Sequence, residues 1–188
     1  MLSQLGVDFK VLSLREALPR GLDVDESPRP DEIALDYTCR IARVKAEVAR
    51  LRLTQRKLPE FPVLAADTAV VMGKRIFGKP ADYAHAKEML EALSGQTHQV
   101  LTSIAVAGQT GVQVRTSVSL VRFRDITGSE IRAYLAYGEA QDKAGAYAIQ
   151  GRAAVFISAI SGSYSGVVGL PLFETAQLLK EYGIRLFK

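Results

Sequence analysis

Cysteine and histidine are nearly absent: the 188-residue chain carries one cysteine, Cys39, and two histidines, His85 and His98. A lone cysteine forms no internal disulfide, which agrees with a reducing compartment, and its helical setting reads as a small buried hydrophobe rather than a nucleophile. The histidines have no cysteines or paired spacing around them, which argues against structural zinc. No stretch approaches the roughly 20 apolar residues needed to span a bilayer. No charged-then-apolar signal segment opens the chain. Together these absences set the expectation of a soluble, cytoplasmic protein with no membrane partner. Repeats, low-complexity tracts and linkers are missing too, and the length suffices for one sizeable core, so a single domain over residues 1–188 is expected.

Charge is not balanced. The net charge of +4 and the pI near 9.2 suit an anionic partner but do not separate a nucleotide from a nucleic acid. The densest basic run holds Arg40, Arg43, Lys45, Arg50, Arg52, Arg56 and Lys57. It lacks the interleaved aromatics of a base-stacking platform and reads as the solvated face of a helix, so nucleic acid is not an expected partner.

The rest of the chain is organised around Val63 to Pro80, VLAADTAVVMGKRIFGKP. The β-rich run to Met72, bounded by Pro62 and Gly73, is too short for a helix and predicts a buried strand. Asp67 sits inside it, and an ionised carboxylate there is costly unless a cation, a metal or hydrogen bonds compensate it. After the Gly73-Lys74 turn, Gly78 lets backbone approach a ligand and Lys79 offers a point charge suited to phosphate. The competing reading makes Asp67 a structural acid and Lys79 a solvated loop lysine.

Taken in order, Met1 to Gly6 reads as a helix tail with Gly6 at its C′ position, and the alternation of Val7 to Ser13 predicts a strand. Gly21 to Ser27 is an acidic loop in which Asp23, Asp25 and Glu26 repel one another, so a cation is the expected tenant. A long helix is predicted from Asp31, started by Pro30 and bounded by Pro59, with Ile33, Tyr37, Ile41, Val44, Val48 and Leu51 inward and Lys45 at the edge of that stripe. Asp82 caps the next helix, whose Ala86, Met89, Leu90 and Leu93 face the core until Gly95. Thr97 to Ala107 and Val112 to Arg124 form a hairpin around Gly108 to Gly111. The change of apolar parity in its second strand predicts a bulge near Leu120, with Val118 and Leu120 inward before it. Thr127 to Glu130 is a capping box opening a short helix that Gly138 closes. Gly138 to Gly151 has the composition of a loop packed tightly against something small. Ala153 to Ile160 predicts a strand and Gly162 to Gly166 a turn; the last helix starts at Pro171, with Phe173, Ala176 and Leu179 inward and Gly183 beyond its end. Strands interleaved with helices, with hairpins among them, give an α/β domain on a mixed sheet.

Asp25-Glu26, Ala66-Asp67-Thr68, Gly78-Lys79-Pro80, Leu93-Ser94-Gly95, Asp142 to Tyr147, Ile149-Gln150-Gly151 and Gly162 through Pro171 occur in the order and spacing of the Maf family, which the chain resembles over nearly its whole length. The resemblance implies an elongated mixed β-sheet flanked by helices, similar to the inosine triphosphate pyrophosphatases. It also implies hydrolysis of the α–β phosphoanhydride of a nucleoside triphosphate, giving the monophosphate and pyrophosphate, with a divalent cation (Mg or Mn) as cofactor. By the same resemblance Asp67 is the general base and Thr68 and Gln150 set specificity. Lys45, Lys79 and Lys143 line the substrate, and Glu26 with Asp67 holds the metal. The pairing of Ala-Asp-Thr with Ile-Gln-Gly is that of the branch acting on dTTP and UTP, modified pyrimidine nucleotides being a further option; the 7-methylguanosine triphosphate branch typically differs at both places. The nucleoside triphosphate is the expected partner, with a homodimer as a further expectation.

Two departures stand beside these matches. Family members open with a strand and a Ser-x-Ser-Pro-Arg-Arg loop that this sequence does not contain, and Gly166 replaces a usual asparagine. The first sets the expectation that these 188 residues are impaired in catalysis, with a binding or division-related role as the alternative.

Overall fold

The computed structural model describes residues 1–14 and 23–187. Gly21 and Leu22, at the head of the acidic loop, lie outside the described residues. Helix α1 (Ala34–Gln55) precedes strands β1 (Val63–Met72) and β2 (Arg75–Phe77). Helix α2 (Tyr83–Leu93), strands β3 (Thr97–Gly108) and β4 (Gly111–Phe123), and helix α3 (Gly128–Ala136) follow. Strand β5 (Ile157–Ser161) leads into α4 (Tyr164–Val168) and α5 (Leu172–Glu181). The sheet has five strands in the order β2-β1-β3-β4-β5, and its outer pairs, β1 with β2 and β4 with β5, are antiparallel. The fold is α/β.

The chain groups into two compact units. The first comprises residues 1–67, 102–116 and 170–188, and the second 68–101 and 117–169, so β1, β3 and β4 each contribute residues to both. In the first, Leu5, Ile104, Val106, Leu178 and Leu179 form one cluster, and Ala42 and Ala46 of α1 meet Ala105 and Ala107 in a second. In the other, Phe77, Leu90, Leu93, Phe123 and Ile131 are essentially inaccessible and belong to one core.

Elements with local signals form as expected. Gly6 ends a short 3₁₀ turn (Leu2–Leu5) at φ 64°, where glycine carries no Cβ penalty. The Asp82 carboxylate accepts from His85 N at 2.8 Å at the start of α2. Thr127 and Glu130 complete a reciprocal capping box on α3. Val70 pairs with Phe77 and Met72 with Arg75 across the Gly73-Lys74 turn.

Other expectations are corrected. Residues 7–13 form no strand: Phe9 and Val11 are exposed, and alternation yields a strand only where a neighbour supplies the ladder. Helix α1 begins at Ala34 rather than Asp31, and its buried face is Tyr37, Thr38, Ile41, Ala42, Ala46 and Ala49, while Ile33 and Leu51 are exposed. Close packing against the alanines of β3 selects small side chains there over large ones. Cys39 is half-buried and lies among hydroxyls, its Sγ 3.2 Å from Thr116 Oγ1 and 3.5 Å from Ser103 Oγ.

In β4 the inward parity changes between Thr116 and Ser117, not at Leu120. Ser117 and Ser119 are buried and Val118 and Leu120 exposed, because Ser119 Oγ donates to Ser163 O at 3.2 Å and accepts from Ser163 N at 2.9 Å. The register irregularity with β5 lies between Arg122 and Phe123. Residues Arg152–Phe156 form a 3₁₀ helix instead of the start of a strand, burying Ala153 and Phe156 three apart. Gly166 lies inside α4, whose N-cap Ser163 accepts from Gly166 N. In α5 the buried residues are Thr175, Leu178 and Leu179, and Phe173 is exposed.

Candidate functional site

In the first unit, Asp67 is buried at the middle of β1, 8% exposed. Lys45, about three turns into α1, lies at the margin of the helix's buried face and reaches it: Nζ donates to Asp67 Oδ1 at 2.8 Å and sits 2.9 Å from Glu26 Oε1. One ammonium therefore serves two carboxylates. Burial opposes the charge on Lys45, but Asp67 and Glu26 outweigh it and hold the ammonium above its ordinary value. The triad that resemblance named on this side, Glu26, Lys45 and Asp67, is thus assembled in the fold.

Protein cations meet two of the acidic loop's carboxylates, and a backbone N–H meets the third. Arg52 pairs with Asp23, Lys45 with Glu26, and the Asp25 carboxylate accepts from Ser27 N at 2.9 Å. Arg40 forks onto Glu32 at 2.6 and 2.7 Å and donates to Ser27 O at 3.1 Å. Tyr37 Oη donates to Glu26 O at 3.0 Å; burial, followed by the charges of Asp67 and Glu26, pushes that phenol up to about 12. Arg40, Lys45 and Arg52 are therefore not simply part of a solvated face. Sequence reading missed Tyr37, Arg40 and Arg52 as supports because their partners precede α1; the one-turn step from Tyr37 to Arg40 and the two-turn step from Lys45 to Arg52 were the available signal.

In the second unit Thr68 continues β1 directly after Asp67, and the other candidates sit on loops. Lys79 and Lys143 are exposed, and neither forms an ion pair among the described residues. Their loops are tied together by Gly145 N donating to Gly78 O at 3.1 Å. Gly145 is required at this crossing, since it holds φ 70° and a Cβ would meet Val70 at 3.0–3.1 Å. The loop's apolar residues Ala140, Ala146, Tyr147 and Ile149 pack into the unit's own core. Thr68 is half-buried, its Oγ1 3.6 Å from where a Cβ on Gly169 would stand. Gln150 is exposed in the turn closed by Gly151 N donating to Ala148 O at 3.0 Å.

Beneath this loop His98 is buried, and its Nε2 lies 2.9 Å from Tyr147 Oη. Burial lowers the imidazole to about 4 and raises the phenol. No group of three or more His, Cys, Asp or Glu that could hold a metal ion occurs among the described residues. A cavity of about 290 Å³ in the first unit, with Arg50, Phe61, Glu181 and Tyr182 among its walls, contains none of the candidate residues. Among the described residues no helix is long and apolar enough to cross a membrane.

A buried acid coupled to a lysine provides a proton acceptor held beside a positive charge. The family model described as Maf-like protein matches residues 1–182. Proteins named dTTP/UTP pyrophosphatase from Nitrosospira multiformis and Nitrosomonas europaea are 65% and 59% identical, each aligned over 100% of this chain and over 91% and 90% of their own lengths. A protein of the same name from Aromatoleum aromaticum is 50% identical over 99% of this chain and 91% of its own length. The chain belongs to the Maf-like protein family.

Proposed function

We propose that the chain hydrolyses dTTP and UTP at the bond between the α and β phosphates, releasing the nucleoside monophosphate and pyrophosphate. The observation that carries this reading is the buried Asp67 carboxylate held at 2.8 Å by Lys45, on a chain 65% identical to a protein named for that activity. Asp67 accepts the proton of the attacking water while the phosphoanhydride P–O bond breaks and its electron pair leaves with pyrophosphate. Lys79 and Lys143, being exposed and without a carboxylate partner among the described residues, supply positive charge to phosphate oxygens. Gln150 presents both a donor and an acceptor, as the N3–H and carbonyl edge of uracil or thymine requires.

The donor set fits a divalent cation. Glu26 and Asp67 converge on a single positive group, and magnesium is commonly held by one or two carboxylates completed by substrate phosphates rather than by an all-protein cage. Bound there, magnesium or manganese would stabilise negative charge on the phosphates. The test is to assay the purified chain with UTP, dTTP, CTP and GTP, with and without magnesium, separating pyrophosphate from orthophosphate release. Metal-dependent pyrophosphate release favouring UTP and dTTP is expected; orthophosphate release, or equal use of all bases, overturns the reading.

A further inference from the structure

A carboxamide can meet uracil and cytosine equally well by turning over, because uracil offers an N3 donor beside acceptors and cytosine the reverse. Discrimination therefore requires that Gln150 be held in one orientation, beginning with its backbone. Gln150 is exposed, so packing around its own side chain does not do this. The residues on its C-terminal side are held instead. Glu139 Oε2 accepts from Arg152 N at 2.8 Å, and Oε1 accepts from Arg152 Nη1 at 2.8 Å. The same carboxylate lies over Gly151, where a Cβ would come within 2.3 Å of Oε2. On its other side the Arg152 guanidinium stacks 3.8 Å from the centroid of Tyr137.

Glu139 thus grips the backbone two residues beyond Gln150 and occupies the space that Gly151 leaves open. A pair in which Arg152 is 57% exposed contributes little to stability; what a carboxylate accepting from both the backbone N–H and the guanidinium of Arg152 does is restrain the Gly151–Arg152 peptide. We propose that Glu139 is a positioning residue for Gln150 and sets the discrimination between uracil and cytosine nucleotides. The inference rests on Gln150 reading the base.

The experiment compares the kcat/KM ratio of UTP to CTP in the parent, Gln150→Ala, Glu139→Ala, Glu139→Gln and Gly151→Ala. Gly151→Ala is an independent route, since its methyl displaces only the end of the Glu139 side chain while the φ of −106° suits alanine. Gln150→Ala is expected to collapse the ratio. Glu139→Ala and Gly151→Ala should each lower it by about threefold to tenfold, the worth of one fixed hydrogen bond, with melting temperatures within about 2 °C of the parent. Glu139→Gln, which keeps an acceptor for Arg152 N, should stay within about twofold. Adding Glu139→Ala to Gln150→Ala should change nothing more.

A ratio that falls in Gln150→Ala but holds in both Glu139→Ala and Gly151→Ala overturns the role of Glu139 and leaves that of Gln150 standing. A further fall when Glu139→Ala is combined with Gln150→Ala also overturns it, because Glu139 would then act by another route. An unchanged ratio in Gln150→Ala removes base reading from Gln150, and the inference with it.

Discussion

The candidate residues of the two units differ in what holds them. Glu26, Lys45 and Asp67 in the first unit are bound to one another, and Asp67 is buried. Lys79, Lys143 and Gln150 in the second are exposed and borne on turns. A carboxylate removed from water requires its counter-charge as part of the fold, whereas an exposed ammonium keeps its hydration until a ligand displaces it. Substitutions in the first set should therefore disturb chemistry and stability together. In the second they should disturb binding alone.

Asp67→Asn should give the largest effect. It keeps the volume and leaves Lys45 its contact with Glu26 at 2.9 Å, while removing the proton acceptor, so turnover on UTP should fall by about 10² to 10⁴ with the circular dichroism spectrum retained. A folded variant at parental turnover would make Asp67 structural and erase the contrast.

Lys45→Met comes next, and it tests the metal fit without relying on turnover. Removing one partner of a buried pair costs about 3–5 kcal/mol, and the 22% exposure of the Lys45 side chain places the loss near the lower figure. With their ammonium gone, Glu26 and Asp67 should attract a divalent cation, so millimolar magnesium should recover more of the melting temperature in Lys45→Met than it adds to the parent. No recovery would separate these carboxylates from metal binding.

The buried part of the second unit has its own signature in pH. His98 is lowered by burial to about 4 from 6.5, so its neutral form is the one that folds. Stability should be complete above the unfolded value of 6.5 and decline as pH falls towards 4, by on the order of 3 kcal/mol across that window. His98→Phe, which fills the ring space but loses the Tyr147 contact, should flatten that slope in denaturant titrations. An unaltered slope would assign acid sensitivity to other groups.

The smallest effects on stability belong to the exposed lysines. Lys79→Ala and Lys143→Ala should leave stability within about 0.5 kcal/mol, yet raise KM for UTP about tenfold to a hundredfold through the loss of a charge-assisted hydrogen bond. A marked loss of stability with unchanged KM would reverse the distinction between the two sets.

The sequence by itself determined what short-range rules govern. The αL glycines that end helices, the Asp82 cap, the Thr127–Glu130 box and the Gly73-Lys74 hairpin all involve neighbours within a few residues, where φ preferences and orphan backbone groups decide. The motif order likewise placed Asp67 on a strand and Lys79, Lys143 and Gln150 on loops. Only the tertiary structure decided which groups meet across long stretches of chain. The acidic loop's cations come from Lys45 and Arg52 on α1, and Glu139 reaches Arg152 from the far side of a glycine-rich turn. The same holds for which face turns inward: alanines replaced Leu51 on α1, and serines replaced Val118 and Leu120 on β4. Hydrophobic periodicity weighs a side chain by its size and apolarity, but the inward face is set by the distance to the opposing backbone and by the hydrogen bonds waiting there.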